Sequence, residues 1–169
     1  MKRILTLLFL LPLLAVATNE WIVVALDNKI QVAFPARPEE SERSGNPMWV
    51  SRTEDGATML AMSVDFQKFG LDSAAAAEQF QMDEFLNSYR DGILGQLPEG
   101  KLIAEKKTMV QGHPQLDYTF TMGTEKKQTY FSRSIFVGTR VYSLSFIDTK
   151  GDPKNPLLLQ FFSSLRVKP

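Results

Sequence analysis

The sequence predicts an α+β protein. It is read as a mostly antiparallel sheet of about seven to eight strands inside a three-layer α/β/α sandwich, with one long central helix and one short C-terminal helix. Three observations lead there. Residues 128–148 form two strand-like segments around Gly138-Thr139, and a two-residue turn sets their register: Val137 opposite Arg140, Phe136 opposite Val141, Ile135 opposite Tyr142, Arg133 opposite Leu144, Phe131 opposite Phe146. Both faces of that hairpin need cover. One carries Phe131, Ile135, Tyr142, Leu144 and Phe146, and the other is apolar at both ends with Ser132, Ser134, Ser143 and Ser145 between. Two segments with helical apolar spacing, 82–93 and 157–165, supply the covers.

Taken from the start, Lys2 and Arg3 precede an apolar run over 4–16 that ends in Ala15-Val16-Ala17, the form of a secretory signal peptide cleaved after Ala17. The run holds Pro12 and falls short of the roughly 20 residues that span a bilayer, so no stable membrane anchor is expected after cleavage. Residues 18–169 are then one domain, exported to the periplasm or secreted. There is no cysteine, which excludes disulfides, thiolate metal sites and a lipid anchored on cysteine. Without Lys2 and Arg3 the chain keeps 17 basic against 19 acidic side chains. That balance lacks the basic excess of a nucleic-acid binder.

Residues 21–26 and 29–34 flank Asp27-Asn28, and a two-residue turn there sets Trp21 opposite Phe34, Val23 opposite Val32 and Ala25 opposite Ile30, all on one face. Residues 35–47, rich in proline and glutamate, read as a solvated loop. Asp55-Gly56 closes a second hairpin that pairs Trp49 with Met62 and Ser51 with Leu60. Leu60, Met62, Val64 and Phe66 point one way, with Met59, Ala61, Ser63 and Asp65 the other.

Asp72 or Ser73 is a plausible N-cap for the long helix. Its alanine run 74–77 and the stripe Met82, Phe85, Leu86, Tyr89 and Ile93 carry it to a glycine-rich stop between 91 and 100. Residues 102–110 suit a strand with one wet face, broken by 111–114. Residues 115–122 alternate without exception, with Leu116, Tyr118, Phe120 and Met122 inward. Asn155 and Pro156 are the N-cap and first residue of the terminal helix. Its phenylalanines are expected over the serine-centred face, with the long helix over the Phe131 and Leu144 face, and residues 166–169 trail away.

The sequence carries no recognisable catalytic constellation. His113 is the only histidine, it precedes a proline in a turn, and no Gly-x-Ser-x-Gly elbow occurs. One histidine without cysteine cannot build a zinc site. Residues 148–152 with Asn155 do not match a calcium loop and read as a solvated turn. No glycine pattern for nucleotides is present. The sequence therefore assigns no catalytic, metal or cofactor-binding residue and expects no enzyme. Arg133 is the anomaly, since it shares a face with Phe131, Ile135 and Leu144. It snorkels to the sheet edge, pairs with a carboxylate such as Asp83 or Glu84, or binds an anionic ligand.

The order hairpin, hairpin, long helix, four-strand meander, short helix resembles the PsbP/Mog1-like superfamily. So do Val32-Ala33-Phe34-Pro35, Gly112-His113-Pro114, the run 138–144 and Phe161-Phe162-Ser163-Ser164-Leu165. The resemblance implies a three-layer sandwich that acts by binding or assembly, with no universal catalytic residue. Members include extrinsic photosystem subunits, a regulator of a nuclear transport GTPase and envelope lipoproteins. The leading expectation is a non-enzymatic exported domain of the bacterial envelope, docking a protein partner through 35–47 or an exposed sheet edge. The alternative is a periplasmic carrier holding a small apolar ligand between the long helix and the sheet, with Met59, Met62, Met82 and Met122 lining an adaptable cavity.

Overall fold

A computed structural model describes residues 20–97, 99–124 and 127–168; the expected signal segment lies outside them. Fourteen elements follow one another: β1 (Ile22–Ala25), β2 (Ile30–Phe34), β3 (Glu39–Arg43), β4 (Asn46–Arg52), β5 (Thr58–Asp65), a 3-10 turn (Phe66–Phe69), α1 (Ser73–Gln79), α2 (Asp83–Leu94), β6 (Lys101–Val110), β7 (His113–Met122), β8 (Gln128–Val137), β9 (Arg140–Asp148), α3 (Pro156–Ser163) and β10 (Arg166–Val167). Seven strands form one sheet in the order β3-β4-β5-β9-β8-β7-β6, and β1-β2-β10 form a second. Every pairing is antiparallel.

The central hairpin has the register read from its turn, Val137 to Arg140 through Phe131 to Phe146. Gly138 adopts φ 61, the left-handed entry that a tight two-residue turn demands. The two earlier hairpins are each displaced by one residue from the expected pairing. At the first, Asp27 Oδ1 accepts from the amides of Lys29 (2.8 Å) and Ile30 (3.0 Å), which draws Lys29 into a three-residue loop. Ile22 therefore opposes Phe34 and Val24 opposes Val32, so Ile22 and Val24 share the face of Ile30, Val32 and Phe34 while Val23 is 62% exposed. At the second, Thr53 N donates to Ala57 O (2.9 Å) around Glu54-Asp55-Gly56, with Gly56 at φ 87. Met48 then opposes Met62 and Val50 opposes Leu60, which sends Trp49 to the opposite face.

Three further expectations change. The expected loop 35–47 contains β3, an exposed edge strand joined to β4 by the turn Ser44-Gly45. Residues 166–169 do not trail away, because β10 pairs with β2. The single long helix is two short ones separated by Phe80, Gln81 and Met82. Geometry explains the break. Phe80 and Phe85 both pack on Phe66 and Phe136, yet in an unbroken helix residues five apart point about 140° away from each other. Capping follows the sequence: Asp72 accepts from Ala74 N and Ala75 N, and Asn155 from Leu157 N.

The large sheet buries apolar side chains on both faces. On one, Phe131, Ile135, Tyr142, Leu144 and Phe146 pack with β2 and with Leu158 and Phe161 of α3. On the other, Leu116, Tyr118, Phe120, Phe136 and Val141 pack with α1 and α2. The helices thus cover the faces opposite to those expected. The reason is polar: Tyr89 of α2 places its hydroxyl 2.7 Å from Ser143 Oγ, a partner the α3 stripe cannot offer, and Ser134 Oγ lies 3.0 Å from Ser143 Oγ. The first face has a helix and the small sheet over it, rather than a helix alone.

One hydroxyl is stranded. Ser51 Oγ is the single buried side-chain polar atom without a partner among the described residues. An unpaired buried hydroxyl costs roughly 1–3 kcal/mol, so Ser51→Ala is expected to stabilise the protein by about 1 kcal/mol. Urea unfolding checks this, and an unmoved or lowered midpoint would mean that the hydroxyl is satisfied after all.

Candidate functional site

The α2-side face of the large sheet is only partly covered. Alternation along the strands puts Met48 and Val50 of β4, Leu60, Met62 and Val64 of β5, and Ser143, Ser145 and Ile147 of β9 on that face, in rows fixed by the pairing. α2 is 12 residues long, about 18 Å of helix, and lies over β7, β8 and part of β9. Leu60, Met62 and Val64 are left half-buried in consequence.

Between α2 and this bare part of the face runs a groove of ≈ 350 Å³. Its near wall is Tyr89 and Ile93 of α2 with Gln96 and Leu97 of the turn that follows it. Its floor is Leu60, Met62, Val64, Ser132, Ser143, Ser145 and Ile147, continued by the parallel rings of Phe120 and Tyr130, 4.7 Å apart. Its far rim is the β3–β4 turn, with Arg43, Ser44 and Asn46. That turn is tethered, since Lys68 Nζ of the 3-10 turn donates to Gly45 O (2.9 Å).

The floor's hydroxyls are satisfied among themselves. Ser132 and Ser145 are 3.0 Å apart, and Ser134, Ser143 and Tyr89 form a second cluster. Burial pushes the phenol pKa values of Tyr89, Tyr118 and Tyr130 up, against hydrogen bonds from the serines in the first two. All three stay protonated at neutral pH and act as hydrogen-bonding groups, neither bases nor nucleophiles. No carboxylate or imidazole of the described residues lines the groove, so among them a serine there has no base beside it. The arrangement can hold a molecule by apolar contact and hydrogen bonding.

Of the four methionines expected to line a cavity in this place, only Met62 does so, joined by Met48. Met59 is fully buried on the opposite face, and Met82 is 40% exposed at the start of α2. Met122 ends β7 outside the lining. Arg133 is ion-paired, with a partner other than the two helical carboxylates. Its Nε and Nη2 reach the Asp117 carboxylate at 2.8 and 2.7 Å, Nη1 donates to Phe162 O (3.2 Å), and the guanidinium lies 4.8 Å from the centre of the Phe162 ring. All three nitrogens are engaged, so the ≈ 410 Å³ cleft that Arg133 borders gains no free cation from it. Asp83 pairs instead with Lys107.

His113 opens β7 beside the Gln111-Gly112 turn and does not line the groove. Asp148 accepts from the Lys150 amide and from Asn155 Nδ2, capping the turn before α3. The described residues contain no group of three or more metal-binding side chains and no helix long and apolar enough to cross a membrane. Sequence reading missed Arg43, Ser44 and Asn46, because they belong to a segment read as loop. It also missed that Leu60, Met62 and Val64 line a groove, because alternation marks a face without saying how far the covering helix extends.

No family model matches the chain. No curated protein matches it. Among solved structures it is similar to cyanobacterial PsbP (CyanoP) from Synechocystis sp. PCC 6803, at 10% identity over 91% of this chain and 96% of that one, with a TM-score of 0.57. It is also similar to PA94, a Pseudomonas aeruginosa protein of unknown function, at 14% identity over 88% and 98%, with a TM-score of 0.53. The fold is thus PsbP-like, and at these identities the likeness extends to the fold alone.

Proposed function

We propose that this protein is an exported, non-catalytic carrier that holds a small apolar ligand in the groove between α2 and the large sheet. The observation that carries the reading is the groove itself: ≈ 350 Å³, within the range of ligand pockets, floored by Leu60, Met62, Val64 and Ile147 over hydroxyls that already have partners. Export rests on the leader-like pattern of residues 1–17.

A protein partner docking on residues 35–47 or on a sheet edge is less well supported. The edge strand β3 carries Glu39, Glu40, Glu42 and Arg43, and the edge strand β6 carries Lys101, Glu105, Lys106 and Lys107. Charged edges oppose the addition of a further strand.

The reading is tested by native mass spectrometry of the intact purified protein, set beside Leu60→Asp, which places a negative charge on the half-exposed floor. The wild type is expected to carry or take up an apolar small molecule, and the variant to lose at least tenfold in affinity, a cost of about 1.4 kcal/mol or more. A wild type that takes up no apolar molecule, or a variant that binds as well, would overturn it.

A further inference from the structure

The groove is long, with different chemistry at its two ends. Along the sheet, Val64 of the floor lies level with Val141 and Ile147 of the floor lies level with Thr58, six steps or about 20 Å of strand apart. A volume of ≈ 350 Å³ drawn out over that length is room for one extended chain rather than for a fused ring system. The Val64 end is polar. Met48 pairs with Met62, so Asn46 comes level with Val64, and Arg43 pairs with Asn46 across the β3–β4 turn. The other end is apolar, with Ile147 against Tyr130 and Phe120.

Among the described residues, Arg43 is the single charged side chain in the lining. No carboxylate of the described residues pairs with it, whereas Arg52, Arg90, Arg133 and Arg140 all have acidic partners. Lys68, by holding Gly45 O, fixes the turn that presents it. Resting on the carrier reading, we propose that the ligand is an aliphatic monocarboxylate. Its carboxylate pairs with the Arg43 guanidinium, and its chain runs over Met62 and Leu60 toward Ile147. One cation and no second basic group among the described lining residues match a single negative charge; a phosphate dianion would be left half-compensated. The chain crosses Ser143 and Ser145 without stranding a polar group, because each already has a hydroxyl partner. Met48 and Met62 adapt to chains of different length.

Titration calorimetry with decanoate and decanol, on the wild type and on Arg43→Met, tests the assignment. Arg43 is exposed, so the substitution leaves the fold alone. Decanoate is expected to bind the wild type about tenfold more tightly than decanol, and Arg43→Met to remove that preference. Equal binding of acid and alcohol by the wild type, or a preference that survives in Arg43→Met, would overturn the carboxylate assignment while the carrier reading stood. Binding of neither probe to the wild type would overturn both.

Discussion

Replacing Phe161 with alanine is expected to lower the free energy of unfolding by about 3–5 kcal/mol, the cost of emptying an aromatic site that cannot collapse. Phe161 is fully buried, with its ring 5.3 Å from that of Phe34. It is the point at which α3, the small sheet and the Phe131 face of the large sheet meet. Two hydrogen-bonded links close the same junction: Ser164 Oγ accepts from Ala33 N at 2.9 Å, and Lys168 N donates to Lys29 O at 2.7 Å. Losing the ring therefore loosens β10 as well as α3. The control is Leu159→Ala on the same helix, where the side chain is 55% exposed and the expected change is within about 0.5 kcal/mol. Urea unfolding of both variants separates packing from helix propensity. Equal losses would mean that α3 is held by something other than its buried stripe.

Asp27→Ala is expected to cost about 2–4 kcal/mol and to alter the acid limb of stability. Asp27 is the hub between the two sheets. It accepts from the Tyr142 hydroxyl, pairs with Arg140 at 3.3 Å, and caps its own turn through Lys29 N and Ile30 N. Tyr142 is fully buried, so removal of the carboxylate strands a phenol. Arg140 also holds Asp65 at 3.2 Å, so the pair Asp27 and Asp65 shares one guanidinium. Burial alone would raise the pKa of Asp27; the Tyr142 hydroxyl, the two amides and Arg140 outweigh it and hold the carboxyl below its ordinary value. Asp65 is held low in the same way by Gln67 N, Thr139 and Arg140, again against burial.

The sign follows from linkage. A folded-state pKa below the unfolded one contributes stability that is fully present above the ordinary carboxylate pKa, about 3.9, and is lost as pH falls through the depressed folded value. Wild-type stability should therefore drop below about pH 4 more steeply than that of Asp27→Ala, with the two curves converging in acid. Parallel curves would mean that Asp27 titrates alike in both states. Tyr142→Phe keeps the ring and removes the hydroxyl, and a double-mutant cycle with Asp27→Ala isolates their shared hydrogen bond.

Local rules carry much of this fold. The Gly138-Thr139 register, the caps at Asp72 and Asn155, and the alternation of 116–121 all depend on neighbours in the chain, and all appear in the structure; at the ends of that strand Gln115 is buried and Met122 only half-buried. Other features involve choices that neighbours do not decide. Both parity sets around Asp27-Asn28 and around Asp55-Gly56 are apolar enough to face a core, so hydrophobic pattern could not choose between two-residue and three-residue loops. An Asp27 side-chain bond and a left-handed Gly56 chose. Nothing between Phe80 and Met82 breaks a helix by composition. The break comes from two phenylalanines seeking one pocket.

The candidate site was legible in part. The serines at the centre of one face signalled space beneath a helix, but the stripe with the right polar handle was the one bearing Tyr89. Where α2 ends over the sheet, and that Arg43 stands at the end left open, are facts about distances between elements far apart in the chain. Periodicity tells a residue which face it is on, because side-chain direction is local. How much of that face another element covers is settled by the length and placement of the cover, and only the tertiary structure decides that.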